Sequence, residues 1–284
     1  MNNVVSFSGG RTSAYMVHLI ERMRKEGTIE NVHYVFLDTG AEHPKTYEFI
    51  RNCVEHFGID LTCLRPLVNP EKGIGVTYQI VGLDDCKPDL QPWKDFTAKY
   101  GTPYVHGAFC TSRMKTDPFD KWCNSTFGKG NYTTWLGMRI DEPRRIRDRE
   151  NVRYLAEISL MDKTGILGWW SEQPFDLEID EWLGNCVFCL KKGVNKIALA
   201  QRAEPEMAAE FHELLSSDRV RTLGDRPAGN AAIYRNWMTI PAIVEAFAPF
   251  SDDQIKARMR SASGSCTESC EVFGCQIDMF EESH

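Results

Sequence analysis

The stretch "SFSGGRTSAY", residues 6–15, decides the fold. The apolar run "NVVSF" stops at Ser8-Gly9-Gly10, after which Tyr15, Val17, His18, Leu19 and Met23 recur at helical spacing. A strand, a tight loop and a helix follow from that order. Downstream, "VHYVFLDTG" (32–40) reads as a second buried strand with a polar tip. A helix from Pro44 through Phe57 and a third strand, "LTCLRPL", come next. Strands alternating with helices predict an α/β fold built on a doubly wound, mainly parallel sheet. In such sheets ligands collect at the carboxyl ends of the strands. Glycines there let backbone N–H groups approach a phosphate, and the helix N-terminus adds a favourable field. Ser8 to Ser13 is such a place. Its spacing matches neither the GK[ST] phosphate loop nor the GxGxxG dinucleotide turn.

Further along, residues 68–130 are rich in Pro, Gly and Lys, with helical stretches expected near Trp93–Tyr100 and Asp117–Cys123. "YTTWLGMRI" (132–140) is the next strand. From Cys186 to Met259 the pattern is mostly helical, clearest in "VNKIALAQRAEPEMAAEFHELL", and the polar tail after Arg260 reads as irregular. This divides the chain into an α/β domain (1–185), which the family resemblance described below implies to be nucleotide-binding, and a helical region with a cysteine-containing tail (186–284).

The 284 residues suffice for one large domain with an added helical piece. No apolar run reaches membrane-spanning length, and no export signal opens the sequence, so a cytoplasmic address is expected. A net charge of −7 excludes coating of nucleic acid by bulk electrostatics, leaving only the local run "RRIRDR" (144–149) as a basic patch. In a reducing compartment the ten cysteines point to metal binding, catalysis or burial rather than to disulfides. "CVFC" (186–189) aims two sulfurs at one point, as zinc, an iron–sulfur cluster or a redox dithiol would use them. It arrives too late in the chain for the thioredoxin arrangement. Cys53, Cys63, Cys86 and Cys123 have no matching partner and read as packing residues.

Four segments in order resemble the N-type ATP pyrophosphatase (PP-loop) superfamily and its PAPS reductase branch. They are SGGxxS, "FLDTGAEHPKTYEF", "CTSRMKTDPF" and "WLGMRIDEPRR", joined by "NCVFCLKKG" near residue 190. The resemblance implies ATP or another adenine nucleotide, with phosphates on Ser8, Gly9, Gly10, Arg11, Thr12 and Ser13, and with Asp38, Thr39 and Gly40 lining the pocket. Gly137, Arg139 and Arg145 would hold anionic oxygens, since a planar guanidinium matches phosphate or sulfate bidentately. Arg11, Lys115 and Arg139 would carry the catalytic charge. The family's loop is usually SGGKDS; here Arg11 and Thr12 replace the lysine and aspartate, which removes an acid and leaves Mg2+ an open requirement.

Members with a [4Fe-4S] cluster place a Cys-Cys pair ahead of the lysine motif and join it to the later CxxC. Here Phe109 takes the first place of that pair, so Cys110, Cys186 and Cys189 are one thiolate short. The tail supplies Cys270, Cys266 and Cys275, preferred as fourth ligand in that order. The C-terminal E-C-G-L-H nucleophile of assimilatory PAPS reductases is missing, "EVFGCQID" standing in its region. The resemblance therefore implies first an ATP- and cluster-dependent sulfur-transfer enzyme that adenylates an acceptor. A sulfonucleotide (PAPS/APS) reductase using cluster or tail thiols comes second, and a non-catalytic nucleotide-binding module third. Expected partners are an adenine nucleotide and a sulfur-donor or electron-donor protein, with nucleic acid a candidate acceptor and a homodimer a candidate assembly.

Overall fold

The computed structural model describes residues 1–71, 73–104, 108–225 and 227–257. Six strands form one sheet: β1 (Asn2–Ser6), β2 (Val32–Leu37), β3 (Leu61–Val68), β4 (Val76–Val81), β5 (Tyr132–Leu136) and β6 (Val152–Tyr154). Their order is β4-β3-β2-β1-β5-β6, and every pairing is parallel except β3 with β4. The expected doubly wound α/β sheet is therefore present.

Its strands are apolar on successive residues because helices cover both faces. Val5 packs with α1 (Arg11–Lys25), α2 (Pro44–Phe57) and Trp170 of α5 (Lys163–Ser171), whereas Val4, Val35 and Leu64 pack with Phe119 and Trp122 of α4 (Asp117–Phe127). Helix α2 spans the residues read from sequence because both ends carry local signals. His43 accepts from the Lys45 N–H at 3.1 Å, Pro44 opens the first turn, and Gly58 closes it in the left-handed region at φ +67°.

Beyond the sheet, α3 (Gln91–Tyr100) and the helices α6 (Val194–Ala203), α7 (Pro205–Ser216), α8 (Ile240–Phe247) and α9 (Asp252–Ala257) share a second core. In it Trp93 and Phe96 of α3 meet Phe211 of α7 and Ile243 of α8. The long helical run read after residue 194 is two helices, because Pro205 cannot donate into a continuing ladder. The 185/186 boundary marks a change in element type within a core that crosses it. Strands β4 and β6 and helix α5 had no counterpart in the sequence reading. β4 is an edge strand with half-exposed residues, and β6 has only three residues. Among the described residues, no helix is long and apolar enough to cross a membrane.

Candidate functional site

Strand order reverses at β1, whose neighbours are β2 and β5, so the loops after β1 and β5 flank the switch-point crevice where open sheets bind ligands. In the first loop Gly9 sits at φ +80°, and a Cβ there would lie 2.8 Å from Thr46 Cγ2 and 3.0 Å from Ile50 Cδ1. Only glycine brings the loop this close to α2. Ser13 Oγ lies 2.8 Å from Ser8 Oγ, accepts from the Ser8 N–H at 3.2 Å and donates to the Gly10 carbonyl at 3.0 Å, which folds the loop over the start of α1. That helix has no acidic residue in its first turn. Its field there is left for an anion.

The loop after β5 meets this one directly. Arg139 Nη1 donates to Thr12 Oγ1 at 3.1 Å, while its other nitrogens bind Asp141 at 2.8 and 3.3 Å. Glu142 accepts the Arg139 N–H at 3.1 Å and pairs with the Arg145 guanidinium, so both arginines expected here share one buried carboxylate. Gly137 lies at the buried end of β5. Arg11, expected on the phosphates, points elsewhere. Its guanidinium binds Asp176 at 2.7 and 2.9 Å and the Leu177 carbonyl, and its own carbonyl accepts from Trp170 Nε1 at 2.9 Å. The side chain thus anchors the loop to the segment after α5.

At the tip of β2, Asp38 is fully buried and held by Arg65 at 2.5 and 3.0 Å, by Tyr47 Oη at 2.9 Å and by the Gly40 N–H at 3.0 Å. Burial and then the nearby Glu42 charge raise its carboxyl above the usual range, against the pull of Arg65. Gly40, at φ +72°, packs against Asp89 and Pro92 with no room for a Cβ. Thr39 donates to Glu42 at 2.9 and 3.0 Å. Glu42, which sequence reasoning missed, is only 2% exposed. It also accepts from Tyr47 Oη at 3.2 Å and stands 3.9 Å from Lys115 Nζ. Its signal was its position inside the quoted "DTGAEH" segment.

Glu42 pairs across an antiparallel bridge with Cys186, and the Val187 N–H donates to the Ala41 carbonyl at 2.9 Å. The CxxC loop is thereby fastened to the β2 tip. Cys110, Cys186 and Cys189 line one cleft together with Thr39, Trp93, Thr111, Lys115, Asn185, Leu190 and Lys191. A π-helical turn over Cys110–Thr116 sets Cys110 and Lys115 on the same wall, because π winding brings residues five apart into register. Asn185 enters the CxxC at φ +59°, which asparagine tolerates. Below it the buried Lys192 ammonium donates to the Trp182 and Val187 carbonyls at 2.6 and 2.8 Å. Burial pushes the Lys192 amine down to about 8. Burial, then the Glu42 charge, pushes the Cys186 thiol up.

Among the described residues, no three His, Cys, Asp or Glu side chains converge closely enough to hold one metal ion. Cys270, with Cys266 and Cys275, lies outside the described residues. Cys53, Cys63, Cys86 and Cys123 are buried free thiols, as expected of packing residues.

A family model for the phosphoadenosine phosphosulfate reductase domain matches residues 2–169, which include all six strands and both crevice loops. The chain belongs to that family. The uncharacterized nin region protein ORF290 of Escherichia phage lambda is 47% identical over 286 aligned residues, covering 98% of this chain and 97% of the relative. A phosphoadenosine 5'-phosphosulfate reductase of Thiocapsa roseopersicina is 34% identical over 80 residues, covering 27% of this chain and 31% of that protein. The cleft that holds the three thiols borders the β2 tip through the Glu42–Cys186 bridge.

Proposed function

We propose that this PAPS reductase-domain protein is an enzyme that binds ATP in the β1/β5 crevice and adenylates an acceptor oxygen, so that sulfur then displaces that oxygen as part of AMP beside a thiolate-held [4Fe-4S] cluster. One observation carries the reading. Glu42, two residues beyond the nucleotide-side Gly40, is bridged to Cys186, so the same strand tip borders both the crevice and the cysteine cleft. A single metal ion draws its thiolates onto one point, whereas a four-iron cluster takes one thiolate per iron at separate corners. Three thiols lining one cleft support a thiolate-held group there, and the resemblance to cluster-bearing members favours the second arrangement. Cys110, Cys186 and Cys189 would hold the cluster, with the fourth thiolate sought at Cys270, then Cys266, then Cys275. When bound, the cluster would supply an iron able to hold incoming sulfur or relay an electron.

The chain's own residues do the rest. Amides of the Ser8–Ser13 loop receive the phosphates, and the acceptor oxygen attacks the α-phosphorus as the bond to pyrophosphate breaks. Arg139 and Lys115 neutralise the charge that develops, the preorganised electrostatics on which such transfers chiefly depend. Arg145 acts through Glu142, which holds Arg139 in place, and Arg11 acts by anchoring the loop. Mg2+ fits as a charge-neutralising partner of the nucleotide. Similarity to the Thiocapsa reductase favours a second reading, reduction of a sulfonucleotide with release of sulfite.

Anaerobic purification tests the proposal. It expects about four irons with a broad band near 400 nm, lost in Cys110→Ala, Cys186→Ala and Cys189→Ala, and pyrophosphate release from ATP. Arg139→Ala is expected to weaken ATP binding about tenfold, the scale of one charged hydrogen bond. Stoichiometric zinc overturns the cluster. Sulfite from PAPS without pyrophosphate from ATP establishes the second reading instead.

A further inference from the structure

Trp93, in the first turn of α3, is 3% exposed, and its indole Nε1 has no hydrogen-bond partner among the described residues. An indole nitrogen can only donate. Buried donors in folded proteins are nearly always paired, because one left alone keeps the full cost of leaving water. That cost is avoidable here, since a phenylalanine would present an apolar ring to the same neighbours with no donor to satisfy. Trp182 Nε1 is likewise buried and unpartnered, with the Lys256 ammonium 4.9 Å from its ring centre, but Trp182 is not among the residues that line the cysteine cleft. Trp93 lines it, together with Cys110, Cys186 and Cys189.

The indole is held in that wall from several sides. The Leu90 N–H, just ahead of α3, donates to the Gly40 carbonyl at 3.0 Å, which fastens the start of the helix to the same β2 tip that leads into Glu42. Thr97 Oγ1 donates to the Trp93 carbonyl at 2.8 Å. The ring lies between Phe109, tilted with centroids 6.1 Å apart, and Phe211, edge-on at 5.9 Å. Phe109 is followed directly by Cys110, so the ring that braces Trp93 and one of the three thiols belong to adjacent residues. A fixed, unpaired donor in a wall shared with three thiols calls for an acceptor bound in the cleft, and sulfur carrying negative charge is the acceptor those thiols bring there.

We infer that Trp93 Nε1–H donates a hydrogen bond to a sulfur of the cluster held by Cys110, Cys186 and Cys189, and so sets how readily that cluster takes an electron. The inference rests on the cluster reading proposed above. A hydrogen bond to sulfur strengthens as negative charge gathers on it, so this one favours the reduced cluster and raises its potential.

Redox titration of the anaerobically purified full chain, followed at the absorption band of about 400 nm, tests it. Trp93→Phe is expected to shift the reduction equilibrium about three- to tenfold toward the oxidised cluster, a midpoint lower by about 30–60 mV for a one-electron couple. Trp182→Phe, which removes an unpaired indole outside the cleft, is expected to leave the midpoint in place. Should Trp93→Phe fail to fold, benzothienylalanine at position 93, an indole isostere without the N–H, is expected to give the same shift. Iron–sulfur stretching bands in resonance Raman spectra are expected to move on transfer to deuterium oxide, and to move less in either position-93 variant. Iron retained with equal midpoints in wild type and the position-93 variants, or an equal shift in Trp182→Phe, overturns the inference and leaves the cluster reading standing. Unchanged midpoints combined with weakened pyrophosphate release from ATP assign the N–H to the acceptor and overturn it as well. Stoichiometric zinc, or no bound metal, in wild type overturns the cluster reading and the inference with it.

Discussion

Gly9 and Gly27 both have positive φ, +80° and +74°, but only Gly9 has neighbours where a Cβ would go. The pair separates backbone strain from steric exclusion. Gly27→Ala is expected to cost about 1 kcal/mol, the left-handed penalty alone. Gly9→Ala should cost about 2–3 kcal/mol, because Thr46 and Ile50 on α2 must also shift. Urea midpoints of the two variants check the difference. Nucleotide titration should show weakened binding in Gly9→Ala alone, since its loop caps the crevice.

At the scale of one element, α4 opens with Asp117 and Asp120, three apart and therefore on one face. Burial and the Asp117 charge raise the Asp120 carboxyl to about 6. In the unfolded chain the same group ionises near its ordinary value, about 3.9. Between those two values the unfolded state releases a proton that the folded state keeps, so this group's contribution to stability falls as pH rises through the window. Asp120→Asn removes the effect. Relative to wild type it should gain about 1 kcal/mol at pH 8, discounted for the group's partial exposure, and nothing at pH 3, as denaturation at the two pH values would record. The π-helical turn just before α4 belongs to the same scale, since it alone turns Cys110 and Lys115 toward one cleft.

Across the whole molecule, the second core joins Ala41, Trp93 and Phe96 from the first half of the chain to Phe188, Phe211, Tyr234 and Ile243 from the second. His43 also lies 3.0 Å from Glu204, and the Arg221 N–H donates to the Thr97 carbonyl at 3.1 Å. A fragment of residues 1–185 would expose the apolar side of α3 and lose the bridge at Glu42. It is expected to unfold without a cooperative urea transition and to bind a hydrophobic dye, while the full chain unfolds cooperatively.

The sequence by itself determined the sheet's winding and the place of its crevice. Strand, turn and cap signals are local, and β1, β2, β3, α1 and α2 each carry theirs within a few residues. It also marked the CxxC pair by its spacing, and Cys110 through the resemblance to the family. Only the tertiary structure decided what each charged side chain does, because a partner such as Asp176 for Arg11 or Cys186 for Glu42 lies more than a hundred residues away and leaves no periodic trace. Edge strand β4 was likewise decided by pairing with β3, its own residues being half-exposed and weakly patterned. The left-handed turn at Asn236 and Trp237 joins these, since that backbone is not written in the order of residues around it.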